Sequence, residues 1–170
     1  MSQIDLGRPD QQFAHLYPPF GKVVSAALTM ANAAALDPIT RKPKFHGFSH
    51  YAMYEGYRSL ERQEWLYEEG RTRPGHRVTN MRVPSYHGFG LAADIVPVVL
   101  VDGIPRGFSW DFPDDVWALW GHCARAHGLV WGGDWNSLKD LPHVQPKPAT
   151  CLLWRPLARH FLRAAGHSTP

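Results

Sequence analysis

Residues 85–100 carry the strongest structural signal in the chain, and their sequence is SYHGFGLAADIVPVVL. His87 lies in a glycine-rich turn, and an apolar run typical of a strand follows it. Asp94 is the only charged side chain in this stretch. Proline cannot donate a hydrogen bond to a neighbouring strand, so Pro97 predicts that the strand ends there or lies at a sheet edge.

Short strand-like segments and helical segments follow one another irregularly around this stretch. Besides the strand at 91–100, we predict strands at residues 51–58, 129–131 and 142–145. We predict helices at residues 22–36, 59–70, 113–127 and 155–165. These segments do not form regular βαβ units, so the predicted fold class is α+β.

Composition excludes several classes of protein. Of the 170 residues, 44% are hydrophobic and 19% are charged, which excludes a disordered chain. No run of 18 apolar residues occurs, so we predict no membrane-spanning helix. The formal charge of +3 is too small to argue for a nucleic-acid partner, and we predict none. Cys123 and Cys151 are predicted to be free, buried thiols.

Two histidines and two aspartates form the candidate catalytic constellation. Catalytic zinc typically takes three protein ligands, and two histidines with one carboxylate are a common set. His87, Asp94 and His143 would supply it. Asp140 would remain as the extra carboxylate that hydrolysis needs to accept a proton. Spacing alone leaves open the alternative that these residues form a structural His–Asp hydrogen bond.

Five sequence blocks follow one another in an order that resembles a known peptidase family. The blocks are GYRSLERQ at 56–63, GRTRPGHRVT at 70–79, SYHGFGLAAD at 85–94, GLVWGGDW at 128–135 and DLPH at 140–143. This order is similar to that of the zinc peptidases that include VanY-type D-alanyl-D-alanine carboxypeptidases and the L-alanyl-D-glutamate endopeptidases of phage endolysins. The resemblance covers about residues 54–146.

The resemblance implies a fold and a metal site. The fold would be of the Hedgehog/DD-peptidase type, a small antiparallel sheet flanked by helices, with a zinc site at the sheet. One domain would span residues 1–170 and bind one zinc ion. His87, Asp94 and His143 match the family's metal ligands, and Asp140 matches its general base.

Three more residues are candidates for contact with substrate. Arg58 matches a family arginine that faces the substrate, where a fixed cation stabilises a developing oxyanion. The alternative is an ion pair with Glu55 or Glu61. Ser85 matches a small polar residue beside the metal, although a serine that only forms the turn is the alternative. Trp135 would line the cleft, unless it belongs to the core.

The predicted function is zinc-dependent hydrolysis of the peptidoglycan stem peptide. The endopeptidase members tend to carry aspartate at the base position, so Asp140 favours cleavage between L-alanine and D-glutamate. Two alternatives stay open. One is a D,D- or L,D-carboxypeptidase on the same scaffold, with Arg58 binding a free carboxylate. The other is a non-catalytic zinc-binding protein.

The resemblance also suggests where the protein acts. No signal peptide is visible in the first 20 residues, which contain acidic residues and lack a basic segment followed by an apolar run. We therefore expect a phage endolysin that is made in the cytoplasm and acts in the periplasm or cell wall after release. We expect it to be a monomer, with the stem peptide as its partner.

The spacing of Asp140 and His143 requires a bend in the chain if both residues serve one site. Residues an odd number apart on a regular strand face opposite sides. Asp140 can therefore serve the same site as His143 only if the chain bends at Leu141-Pro142, which a proline permits.

The C-terminal helix has two interpretations. It is predicted to begin near Pro156 and to carry Arg155, Arg159 and Arg163 beside an apolar stripe. It either closes the core by packing on it, or makes weak contact with the anionic cell envelope.

Overall fold

The computed structural model describes residues 6–82 and 85–170. In chain order, the elements are α1 (Pro18–Ala34), β1 (Phe48–Glu55), α2 (Leu60–Glu68), β2 (Ala93–Val101), β3 (Ile104–Phe108), α3 (Asp114–Ala126), β4 (Val130–Trp131), β5 (His143–Gln145) and α4 (Pro148–Ala164). Short 3-10 turns cover Phe13–His15, His87–Phe89 and Gly132–Asp134. The predicted α+β class is confirmed.

β2 is the central strand of a small antiparallel sheet. It pairs with β1 along one edge. Along its other edge it pairs first with β5, at Ala93 and Asp94, and then with β3, from Val98 onward. β4 extends the sheet beyond β5. The predicted small antiparallel sheet is therefore present.

The expectation that Pro97 ends a strand or marks a sheet edge is wrong. β2 continues to Val101, and Pro97 lies opposite Tyr51 of β1. The carbonyl of Pro97 accepts a hydrogen bond from the N–H of Ser109 at 3.0 Å, so the missing N–H points away from β1. The missing donor is therefore on the side of β2 where β5 pairs at Ala93 and Asp94 and β3 pairs from Val98, and the ladder with β1 does not need it.

The core lies between the sheet and the helices α1 and α3. Tyr51 of β1 donates its hydroxyl to the carbonyl of Val116 in α3 at 2.5 Å. The side chains of α1 and α3 in this core include Phe20, Val24, Ala27, Ala31, Val116, Trp117, Trp120 and Cys123, spaced as helical turns require. Alternation along β2 directs Ile95 into the core and Asp94 toward the opposite face.

Three helices differ at their ends from the sequence expectation. α1 begins at Pro18 and ends at Ala34 rather than spanning residues 22–36. Pro113 is the N-cap of α3 rather than its first residue. α4 begins at Pro148 and contains Pro156 in its interior, so the predicted start near Pro156 is wrong. Pro148 satisfies the preference of proline for a first helical position. Pro156 lies on the exposed side of the helix. Proline has no N–H to donate to the carbonyl one turn earlier, and water can reach that carbonyl instead.

The expectation for the two cysteines is met. Cys123 and Cys151 are free and buried. No helix in the described part of the chain combines the length and apolarity needed to span a bilayer.

Candidate metal centre

The three candidate ligands lie on one face of the sheet. Asp94 of β2 stands directly opposite His143 of β5, and facing residues of an antiparallel pair share a face. His87 lies in the turn before β2. One donor atom from each residue lies within 4.8 Å of the other two. Within residues 6–82 and 85–170, no second group of three His, Cys, Asp or Glu donors is this close.

The turn before β2 fixes which nitrogen of His87 faces the site. Gly90 has a φ of 61°, which favours glycine, and its N–H donates to the carbonyl of His87 at 2.9 Å. Nδ1 of His87 lies 2.7 Å from the carbonyl oxygen of Gly56. A carbonyl can only accept, so Nδ1 carries the proton. The other ring nitrogen, Nε2, lies 3.5 Å from Oδ1 of Asp94.

His143 presents the opposite ring nitrogen to the site. Its Nδ1 lies 3.2 Å from Oδ1 of Asp94, and its Nε2 lies 3.0 Å from Oε1 of Gln145. The amide oxygen accepts, so Gln145 favours a proton on Nε2. The nitrogen that faces Asp94 and could bind a metal is then Nδ1. The sequence analysis missed Gln145. The period-2 alternation of a strand could have revealed it, because residues 143 and 145 share a face.

The three candidate ligands interact strongly with one another. Burial alone would raise the pKa of Asp94, but the facing rings of His87 and His143 outweigh burial and hold that pKa well below its usual range. Burial opposes protonation of His143, yet the hydrogen bond and charge of Asp94 raise the pKa of that ring. This face of the sheet therefore holds the negatively charged Asp94 carboxylate between the two imidazole rings.

Asp140 reaches the same site through the bend that its spacing requires. The chain bends at Leu141 and Pro142, and the N–H of His143 donates to the carbonyl of Asp140 at 3.2 Å. The Asp140 side chain lines the cleft with the three candidate ligands. Burial, with the nearby Asp94 carboxylate, raises the pKa of Asp140. Asp140 is therefore near the cluster but outside the set of three close donors.

Glycine at position 132 allows Asp140 to come this close. A methyl group on Gly132 would lie 2.3 Å from the carbonyl oxygen of Asp140, well inside van der Waals contact. The carbonyl of Gly132 also accepts from the N–H of Asp140 at 3.1 Å. Nε1 of Trp131 donates to the carbonyl of Leu141 at 2.7 Å. The GLVWGGDW block thus supports the turn that carries Asp140.

Arg58 is buried in a network of side chains. Its Nε and Nη2 donate to Oε2 of Glu55 at 3.0 and 2.5 Å. Its Nη1 donates to Oε1 of Gln63 at 3.0 Å, and Nη2 also reaches Oδ2 of Asp94 at 3.3 Å. The alternative of an ion pair is therefore realised, with Glu55 rather than Glu61. The same guanidinium still lines the cleft.

An irregularity in β1 turns Glu55 toward this network. Met53 lies opposite Ile95, but Glu55 lies opposite Asp94, so the register shifts by one residue between them. In regular alternation Glu55 would share the core-facing side of Met53. The shift lets Glu55, which is only 2% exposed, hold the guanidinium beside Asp94.

Ser85 and Trp135 lie at the same cleft. Oγ of Ser85 accepts from the N–H of Gly88 at 3.3 Å, so this serine closes the turn of His87 while also lining the cleft. The Trp135 ring is half-buried and stands 5.1 Å from the His143 ring, centroid to centroid. Trp135 therefore lines the cleft rather than the core. Contact of either residue with substrate stays a prediction.

The cleft continues well beyond the cluster. Its volume is ≈ 790 Å³, enough for several residues of an extended peptide. Its more apolar walls are formed by Tyr54, Trp65, Met81, Trp110 and Leu138. The cluster thus lies in a groove that is much larger than a metal ion alone would need.

Comparison with known proteins agrees with the blocks quoted above. The sequence model of a family described as D-alanyl-D-alanine carboxypeptidase matches residues 79–146. The predicted resemblance to this peptidase family is confirmed. The matched segment contains His87, Asp94, Asp140 and His143.

A curated relative extends the likeness. Peptidoglycan L-alanyl-D-glutamate endopeptidase CwlK of Bacillus subtilis (strain 168) is 38% identical to this chain over 102 residues. The aligned part is 55% of this chain and 59% of CwlK, so the chain spans little more than half the length of this relative.

A solved structure shares the fold. The crystal structure of the Serratia marcescens L-Ala D-Glu endopeptidase ChiX matches with a TM-score of 0.51 and 23% sequence identity. The match covers 85% of this chain and 90% of ChiX. The implied peptidase-type fold is therefore confirmed across most of the chain.

Proposed function

We propose that this protein is a zinc-dependent peptidoglycan hydrolase that cleaves the stem peptide between L-alanine and D-glutamate. The observation that carries the proposal is the approach of His87, Asp94 and His143 to within 4.8 Å of one another, in a cleft that also holds the separate carboxylate of Asp140. CwlK is named for cleavage of that bond, which supports the choice of substrate.

The donor set fits one zinc ion. Two imidazole nitrogens and a carboxylate oxygen are ligands that catalytic zinc commonly takes. Both histidines also hold their second ring nitrogen against an acceptor, as metal-binding histidines do. We propose that Nε2 of His87, Oδ1 of Asp94 and Nδ1 of His143 hold the ion. When bound, zinc supplies a Lewis acid for the scissile carbonyl and makes water more acidic.

Asp140 and Arg58 take different roles in the proposed reaction. Asp140 accepts a proton from the attacking water at its carboxylate and passes it to the leaving amine. Arg58 binds Oδ2 of Asp94 and so orients Oδ1 toward the two histidines. In this proposal Arg58 acts first as a positioning residue, and its contact with substrate stays a prediction.

The pairing of Arg58 favours an endopeptidase over a carboxypeptidase. A carboxypeptidase needs a cation for the free carboxylate of its substrate, and Arg58 is the candidate. All three of its guanidinium nitrogens already donate to side chains of the protein. With the bond to Asp94, four of its five N–H groups are in use. Two-point binding of a terminal carboxylate there requires a partner to be displaced, whereas cleavage within the stem does not.

Digestion of purified muropeptides tests the proposed function directly. The zinc-loaded protein is incubated with disaccharide tetrapeptides and disaccharide pentapeptides, and the products are weighed by mass spectrometry. We expect glycan ending in L-alanine and peptides beginning with D-glutamate. Release of terminal D-alanine alone would identify the carboxypeptidase alternative. Absence of product from fully zinc-loaded protein would identify the non-catalytic alternative.

The remaining expectations stay predictions attached to this function. They are a single domain over residues 1–170, a monomeric state, and synthesis as a phage endolysin that acts on the wall after release.

Gln145 gives a prediction about metal affinity. Gln145→Met keeps the size of the side chain but removes the acceptor for Nε2 of His143. We expect the zinc Kd to rise about 10- to 100-fold, measured by competition with a chelator. Gln11→Met, at an exposed position, is the matched control and should bind zinc like the parent. Equal affinity in both variants would remove Gln145 from the site.

Gly132 gives a prediction about the position of Asp140. In Gly132→Ala the added methyl must displace the Asp140 turn, and a shift of about 1 Å in a catalytic group can cost about 100-fold in rate. We expect kcat to fall by up to that factor while zinc content is retained. Gly107→Ala is the control, because a methyl there meets no atom within 4 Å. Equal kcat values in the two variants would contradict this role.

A further inference from the structure

The inner face of α4 is firmly attached to the rest of the protein. Cys151, Ala158 and Leu162 are buried, and the Arg155 guanidinium lies 4.8 Å from the centre of the Phe89 ring. Beyond the helix, the carbonyl of Ser168 accepts from the Tyr57 hydroxyl at 2.5 Å. The helix therefore closes the core with one face, and its opposite face is held outward.

The outward face exposes three leucines. Leu152, Leu153 and Leu157 are 71%, 74% and 56% exposed. Leu153 and Leu157 are four residues apart and so are neighbours on the helix surface, with Leu152 beside them. Packing against the core does not explain these side chains, because the core lies on the other side. They form the outer leucine patch.

Positive charge flanks the outer leucine patch. Lys147 precedes α4, Arg159 and Arg163 follow the leucines, and all three are exposed. The Arg159 guanidinium lies at the edge of this face, 5.5 Å from the centre of the Phe89 ring. Residues 141–170 hold four Lys or Arg residues and no Asp or Glu, in a chain whose formal net charge is only +3. The part of the sequence that exposes these leucines therefore carries basic side chains and no acidic ones.

We propose that the outer face of α4 docks on an anionic phospholipid bilayer. The helix lies in the plane of the interface, with the leucine patch at the acyl boundary and Lys147, Arg159 and Arg163 against the headgroup phosphates. A second copy of the chain is a poorer occupant, since two such helices would bring like charges together. The proposal is independent of the proposed function, because docking requires neither metal nor peptide cleavage.

Vesicle flotation with the full chain tests the docking. Vesicles containing phosphatidylglycerol are compared with vesicles of phosphatidylcholine alone, at low and high salt. We expect binding to the anionic vesicles only, weakening as salt rises. Leu153→Gln/Leu157→Gln and Arg159→Gln/Arg163→Gln should each weaken binding at least about tenfold.

Matched controls separate this face from general effects of charge and apolarity. Ile39→Gln removes another exposed aliphatic side chain, which is 88% exposed. Lys42→Gln/Arg106→Gln removes two exposed cations elsewhere. Both controls should bind like the parent. No binding to anionic vesicles, equal binding to neutral ones, or equal losses in controls and α4 variants would overturn the proposal. So would a dimer, seen by sedimentation without vesicles, that the leucine variants dissociate.

Discussion

Asp140→Asn should lower kcat for muropeptide cleavage at least about 100-fold, the usual range for a general acid–base group. The amide is nearly isosteric but accepts a proton poorly. Because Asp140 lies outside the set of three close donors, zinc content and Tm should stay near those of the parent. The measurements are steady-state kinetics, metal analysis and thermal melting of the same samples.

Asp134→Asn is the control for Asp140. This aspartate lies in the same loop, but it pairs at the surface with Arg125 at 2.9 Å, an interaction of small energy. It should leave kcat unchanged. Loss of zinc from Asp140→Asn would make Asp140 a ligand and leave one of the three proposed ligands wrong. Full activity with full zinc content would place the base elsewhere.

Removing a ligand should abolish metal binding and activity together. His143→Ala and Asp94→Ala each take one donor from a set of three, so we expect both variants to lose stoichiometric zinc and measurable cleavage. A chelator should do the same to the parent, and added zinc should restore it. The metal-free protein should stay folded with a lower Tm, because bound zinc stabilises only the folded state and the core lies on the other face of the sheet.

His122→Ala is the matched histidine control, since His122 is exposed on α3. It should keep zinc, activity and Tm. If His143→Ala bound zinc as tightly as His122→Ala, the proposed ligand set would be wrong. If the chelated parent kept full activity, the proposed hydrolysis would not depend on metal.

Local patterns predicted much of the fold. The 3.6-residue spacing of Val116, Trp120 and Cys123 predicted α3, and these side chains are buried. Two predictions that rested on a single proline were wrong. Pro97 lies inside the strand that it was expected to end, and Pro156 lies inside the helix that it was expected to begin. A proline breaks an element only if the lost N–H is needed. Whether it is needed depends on what lies beside it in space.

The sequence by itself determined the residue types of the site and the local geometry that presents them. The glycine-rich turn of His87, the strand of Asp94 and the bend between Asp140 and His143 are all consequences of neighbouring residues. The tertiary structure alone decided how the donors are oriented. Asp94 contacts His143, which is 49 residues away in the sequence. The ring of His87 is oriented by the carbonyl of a residue 31 positions away in the sequence.

The same division explains Arg58 and Glu55. The sequence named the pair as one alternative, but the register shift in β1 decided that Glu55 faces the cleft and holds Arg58 against Asp94. Periodicity and turn chemistry act between residues a few positions apart, and so they can be predicted from the chain. Strand register and side-chain pairing depend on how distant segments pack together, and only the folded protein decides them.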